Sequence, residues 1–132
     1  MARIFYLGAP SHVTLTPNAS VTDLIKATGN NTGNMLIGHA IKRHLNAHEI
    51  SSDFSLGHKY IEDNFDLIVI GASNFIAPYF DFGVYANFLE AVKLPCGIIG
   101  LGVQAPNYGI RVEMPKGTER MLRIVSERSI SL

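Results

Sequence analysis

The sequence has little that would tie it to polyanions, cross-links or lipid. Its 132 residues hold 11 Lys plus Arg and 11 Asp plus Glu, so the formal net charge is zero. A balanced chain offers no electrostatic footprint for nucleic acid or for an anionic membrane surface, and no long run of Lys or Arg compensates locally. A single cysteine, Cys96 in "LPCGIIGLG", excludes a disulfide framework. Its apolar neighbours suit a small buried side chain, whereas a nucleophile needs an electropositive, accessible setting. No apolar run approaches a membrane span, and Ile4 to Leu7 is too short for the apolar region of a secretory signal. The expectation is a soluble, cytoplasmic protein with no nucleic-acid partner. What is present suits one globular domain over residues 1–132: 47% of residues are hydrophobic and 17% charged, enough apolar material for a core.

The pattern along the chain alternates. "RIFYL" (Arg3 to Leu7) reads as a buried strand ended by Gly8 and Pro10. Residues 9 to 32 form a polar connection with a short helical turn at "VTDLIKAT"; connections this long without firm structure are more often functional than not. Ile37, Ala40, Ile41 and Leu45 recur at helical spacing and predict one apolar stripe on a helix of about residues 34 to 47. Leu67 to Ile70, apolar on both faces, suits a central parallel strand. Tyr85, Phe88, Leu89 and Val92 mark a second helix, stopped at Leu94 and Pro95. "CGIIGLGV" (Cys96 to Val103) is a further strand. "KGTERMLRIVSERS" (Lys116 to Ser129) is a third helix with Met121, Leu122 and Val125 inward and a Glu119–Arg123 pair outward. "ISL" opens one more strand. This alternation predicts an α/β fold, a Rossmann-like, mainly parallel sheet with flanking helices. A sheet that stops three residues into a strand reads as the front part of a longer protein.

In open α/β sheets, ligands bind at the carboxyl ends of the strands, which selects three loops. "GNNTGN" (Gly29 to Asn34) opens the first long helix, where backbone N–H groups and the helix dipole favour an anion. Asn30, Asn31, Thr32 and Asn34 add donors and acceptors for a sugar or a phosphate ester, and Gly33 permits close approach. An ordinary N-cap by Thr32 or Asn34 accounts for the same residues. The stretch is neither a Walker loop nor the dinucleotide Gly-x-Gly-x-x-Gly. "GASNF" (Gly71 to Phe75) and "GLGVQAP" (Gly100 to Pro106) place Ser73, Asn74, Gly102 and Gln104 on the same rim. Turn chemistry explains each loop alone; their convergence favours a ligand.

The histidines carry less. His44 and His48 are four apart and on a continuous helix would share a face, as metal pairs do. Glu49 is the only close carboxylate and no cysteine is near, so no metal is expected. His39 is expected to be partly buried in the helix, and His12 and His58 to lie in loops. Arg111, Lys116 and Arg120 form a loose basic group near a helix start. No Ser-His-Asp or Cys-His order stands out, and no cofactor is expected.

"TGNNTGNMLIGHAIKRHL", "FDLIVIGASNFI" and "LPCGIIGLGVQAP", in this order and spacing, resemble the N-terminal half of the polysaccharide pyruvyl transferase family. The resemblance runs from about Gly29 to the C-terminus. It implies one half of a glycosyltransferase-B-like fold, two Rossmann-like domains facing across a cleft. It also implies transfer of the enolpyruvyl part of phosphoenolpyruvate to two hydroxyls of a glycan sugar, in surface-polysaccharide biosynthesis. A general acid protonates the enol carbon to give an oxocarbenium-like centre, a sugar hydroxyl attacks, phosphate leaves, and a second hydroxyl closes the ketal. Cationic groups must hold the phosphate and carboxylate, and by resemblance much of that site belongs to a second half. Asn30, Asn31, Thr32, Gly33, Asn34, Ser73, Asn74, Gly102 and Gln104 are therefore assigned to substrate binding, and no residue to catalysis. The chain alone is expected to be inactive. It is expected to need a C-terminal domain or partner chain, and to self-associate if the face covered by that partner is bare. Two other readings stay open: a nucleotide-sugar glycosyltransferase of the same architecture, and a non-catalytic sugar- or anion-binding α/β module.

Overall fold

A computed structural model describes residues 1–8, 17–27, 32–105, 107, 109 and 111–130. In chain order its elements are β1 (Ala2–Gly8), α1 (Val21–Ala27), α2 (Thr32–His44), β2 (Ala47–Ser51), α3 (His58–Asn64), β3 (Leu67–Gly71), α4 (Gly83–Ala91), β4 (Cys96–Ile99) and α5 (Lys116–Arg128). All strand pairings are parallel and the sheet order is β2-β1-β3-β4. This is the Rossmann-like α/β arrangement. After α5, Ser129 bridges Cys96 in parallel, so the chain returns to the edge of β4.

Alternation along the strands decides which helix covers which face. Phe5, Leu7, Ile68 and Ile70 meet Ile61 of α3, Leu89 of α4, and Met121 and Val125 of α5 in the main core. On the opposite face Ile4, Tyr6, Leu67 and Val69 are met by Ile41 of α2 and by Leu45, just past its end. All five residues of β3 are buried, as a central strand requires. Away from the rim that carries the cleft, Arg3 and Asp66 join the starts of β1 and β3 by an ion pair at 2.9 Å. Ser20 and Asp23 cap α1 reciprocally: the Asp23 N–H donates to Ser20 Oγ at 3.2 Å and the Ser20 N–H to Asp23 Oδ2 at 2.9 Å.

Several expectations are corrected. α2 begins at Thr32 and ends at His44, and the residues read as its last turn belong to the loop before β2 and to β2 itself. His48 therefore lies on a strand, not one helical turn beyond His44. The predicted stripe is only half covered: Ile41 and Leu45 are half-buried, but Ile37 and Ala40 are exposed. His39 is exposed, and His58 is the first residue of α3 instead of a loop residue. β2 and α3 have no counterpart in the sequence reading. "AHEIS" alternates weakly, and β2 forms because β1 offers it a paired edge. The strand expected over Cys96 to Val103 ends at Ile99, although Val103 regains one parallel bridge to Ile76. Among the described residues, no helix is long and apolar enough to cross a membrane.

Candidate functional site

Gly8 and Gly71 are register partners at the carboxyl ends of β1 and β3. From β1 the chain moves outward to β2, and from β3 it moves the other way to β4. The gap between β1 and β3 is thus the topological switch point, the place where open α/β sheets hold their ligands.

The loops after β3 and β4 do not separate at the strand ends. The Ala72 N–H donates to the Ile99 carbonyl at 2.9 Å, Gly102 to Ser73 at 2.6 Å, Ile76 to Gly102 at 3.1 Å and Gln104 to Ile76 at 2.8 Å. This backbone ladder brings Gln104 beside Asn74. Its glycines have a structural reason. Gly100 sits at φ +73°, in the left-handed region, and a Cβ on Gly102 would lie 3.0 Å from the Ser73 carbonyl oxygen and 3.1 Å from Asn74 Oδ1. Gly102, read from sequence as a point of ligand approach, is where one loop approaches the other.

Above the switch point lies a cleft of about 230 Å³. One side is polar: Asn34 from the first turn of α2, Ser73 and Asn74 after β3, and Gln104 after β4. Ser73 Oγ donates to Asn34 Oδ1 at 3.4 Å, which links the loop to the helix. The other side is aromatic, made by Phe75, Phe80 and Phe82. Phe75 and Phe82 stack with centroids 4.2 Å apart and planes 18° apart. Phe80 is 46% exposed and offers its ring to solvent. Thr118 of α5 holds this wall: its hydroxyl donates to the Phe80 carbonyl at 2.9 Å and accepts the Phe82 N–H at 3.2 Å.

A second, smaller cavity of about 30 Å³ lies beneath and shares Asn34, Ser73 and Phe75 with the cleft. Its floor is Gly71 and Tyr6. Burial is the main cause that pushes the Tyr6 phenol up from its ordinary range, with Tyr85 adding to it. It is a neutral hydrogen-bonding group at physiological pH. None of the described residues lining the cleft or the cavity is charged.

Of the residues expected from sequence, Asn34, Ser73, Asn74 and Gln104 come together in this cleft, with Gly102 between two of its loops. Gly33 lies exposed in the first turn of α2, and Thr32 is that helix's first residue. Asn30, Asn31 and His12 lie outside the described residues. The aromatic wall and Tyr6 were missed. "PYFDF" (Pro78 to Phe82) was the available signal for the first, since so many rings in a connecting segment exceed what a turn requires. Arg111 and Lys116 sit with Glu113 and Glu119 around a separate surface groove. Arg120 pairs with Glu90 at 3.4 Å. Among the described residues no group of His, Cys, Asp and Glu could hold a metal. Cys96 is buried, and its thiol is pushed up by that burial against an opposing pull from Arg128.

Fold and cleft together define a parallel α/β protein with an aromatic-walled crevice at its switch point, uncharged among the described residues. Comparison with protein-family models, curated proteins and solved structures gives no match.

Proposed function

We propose that this chain is the sugar-binding half of a polysaccharide pyruvyl transferase-like enzyme, and that the switch-point cleft takes one sugar ring of the glycan acceptor. The observation that carries this reading is the pairing of three side-chain amides and a hydroxyl with an aromatic wall, in a cleft whose described lining has no charge. A sugar ring presents hydroxyls at its edge and apolar C–H groups on its faces, and these two sides match such a cleft. Phosphoenolpyruvate, with a phosphate and a carboxylate, calls for Arg or Lys. That supports placing the donor on the second half and the acceptor here. The volume of about 230 Å³ lies below the range of drug-sized sites and suits a single ring better than a nucleotide sugar.

In the full reaction, two sugar hydroxyls replace the phosphate on the enol carbon. One of their protons ends on the former methylene carbon, which becomes a methyl, and the other on the released phosphate. This half would hold the two hydroxyls side by side, a positioning role. The test is an amide-detected NMR titration of the chain with methyl hexopyranosides, phosphoenolpyruvate and a nucleotide sugar in turn. Sugar-induced shifts in the side-chain amides of Asn34, Asn74 and Gln104, with none from phosphoenolpyruvate, are expected. Shifts there from phosphoenolpyruvate or the nucleotide sugar, with none from any hexoside, would overturn the reading. The chain alone should transfer no pyruvyl group.

A further inference from the structure

We propose that the hydroxyl of Tyr6 is a specificity-determining contact, which binds one hydroxyl of the sugar from below through the small cavity at the β1–β3 switch point. The inference rests on the sugar-binding reading of the cleft above it and adds a residue that the sequence motifs do not contain.

Three observations place Tyr6 in this role. First, Tyr6 is 1% exposed, and among the described residues its hydroxyl has no hydrogen-bond partner. Buried hydroxyls are nearly always paired, because leaving one unpaired is costly. Second, the hydroxyl is aimed at a polar outlet. It lies over Gly71, where a Cβ would overlap the phenol oxygen, and lines the cavity with Asn34 and Ser73. At about 30 Å³ that cavity admits roughly one oxygen-sized group. Third, the ring is fixed. Lys42 Nζ stands 4.9 Å from its centroid and also donates to Ser52 Oγ at 3.3 Å, and Ile4 and Val69 belong to the same packed cluster.

A preorganised, neutral O–H in a narrow slot can donate to and accept from a hydroxyl, and it penalises a ligand that lacks one there. Asn34 and Ser73, shared by cavity and cleft, put the same oxygen within reach of the rim. The sugar ring would then lie against Phe75 and Phe80 with one hydroxyl directed down toward Tyr6.

The experiment compares the full chain with its Tyr6→Phe variant, which removes one oxygen and keeps the ring. Both are titrated by NMR with methyl gluco-, galacto- and mannopyranosides, and then with the monodeoxy analogues of the tightest binder. Wild type should bind one deoxy analogue about tenfold more weakly than the parent, and Tyr6→Phe should bind the two alike. Without ligand, Tyr6→Phe should melt at or above the wild-type temperature, because the lost hydroxyl had no described partner. Equal discrimination by both proteins would overturn the role of Tyr6 while leaving the cleft a sugar site. A lowered melting temperature of ligand-free Tyr6→Phe would overturn it too, by marking a purely structural hydroxyl. If wild type binds none of the hexosides, the inference falls together with the reading beneath it.

Discussion

The Thr118 hydroxyl donates to the Phe80 carbonyl at 2.9 Å, across 38 residues of sequence. With the Phe82 N–H donating back to it at 3.2 Å, one fully buried side chain on α5 fixes the segment that builds the aromatic wall. The cleft therefore depends on a residue that does not line it.

Thr118→Val keeps the shape and removes the hydroxyl. It leaves a carbonyl and an N–H without their partner, so a loss of about 1–3 kcal/mol in unfolding free energy is expected. Hydrogen exchange at the Phe82 amide should quicken more than at Ile68 or Val69 in β3. Chemical denaturation and amide exchange on the same variant check both. Unchanged exchange at Phe82 would mean that Thr118 does not hold the wall.

Gly71→Ala introduces a methyl where the Tyr6 phenol already stands. Overpacking of this kind costs about 1–3 kcal/mol. The clash is with one named ring, so the cost should be coupled to it. In a Tyr6→Val background the same substitution should be much cheaper, and the two effects should fail to add. A double-mutant cycle by urea denaturation measures the coupling, and additive values would show that Gly71 is needed for its backbone instead.

Much of the fold could be read from the residues, and the reasons are local. Leu67–Gly71 is apolar on both faces and became the central β3. Tyr85, Phe88, Leu89 and Val92 mark the covered side of α4 and its C-terminal cap, with Leu89 and Val92 fully buried. That Asn34, Ser73, Asn74 and Gln104 would share one rim could be read because the rule that ligands gather at strand ends needs only strand order and loop position. β2 could not be found that way, since its pairing partner is 45 residues earlier, at Ala2↔Ala47. Tyr6 was hidden for another reason. Within "RIFYL" it reads as one more core residue, and only the glycine pair beside it across two strands shows where its hydroxyl emerges.

Arg128 ties α5 to the end of α4. Its guanidinium donates to the carbonyls of Leu89 in the last turn, of Val92 at the cap at 2.8 Å and of Leu94 beyond it at 3.5 Å. The last carbonyls of a helix lack partners within it, and here a cation meets them at the negative end of the dipole. Arg128→Met preserves most of the stem and removes the donors. A loss of about 1.5–3 kcal/mol is expected, the range for hydrogen bonds to a charged group. Arg128→Lys, with one compact ammonium in place of a fork, should recover only part of it. Thermal or urea unfolding of the three proteins decides, and equal stability would remove Arg128 from the framework.

Asp66 gives the chain an acid-sensitive joint. Its carboxylate accepts the Arg3 guanidinium at 2.9 Å and the Arg3 backbone N–H at 2.7 Å, where β1 and β3 begin. The Arg3 side-chain hydrogen bond, and then the backbone one, hold the Asp66 carboxyl below its ordinary range. A carboxyl that is more acidic in the folded chain than in the unfolded one stabilises the fold above the unfolded pKa, and that contribution is lost as pH falls through the folded value. Wild type should therefore lose stability as the solution is acidified below about pH 4, the ordinary aspartate range. Asp66→Asn should be less stable than wild type at neutral pH, and its melting temperature should depend less on pH in the acid range. The two curves should converge at the acid end. Both partners are partly solvent-exposed, so the neutral-pH difference should be modest and should shrink as salt is raised. Parallel melting curves from neutral pH into the acid range would show that the pair does not couple protonation to folding.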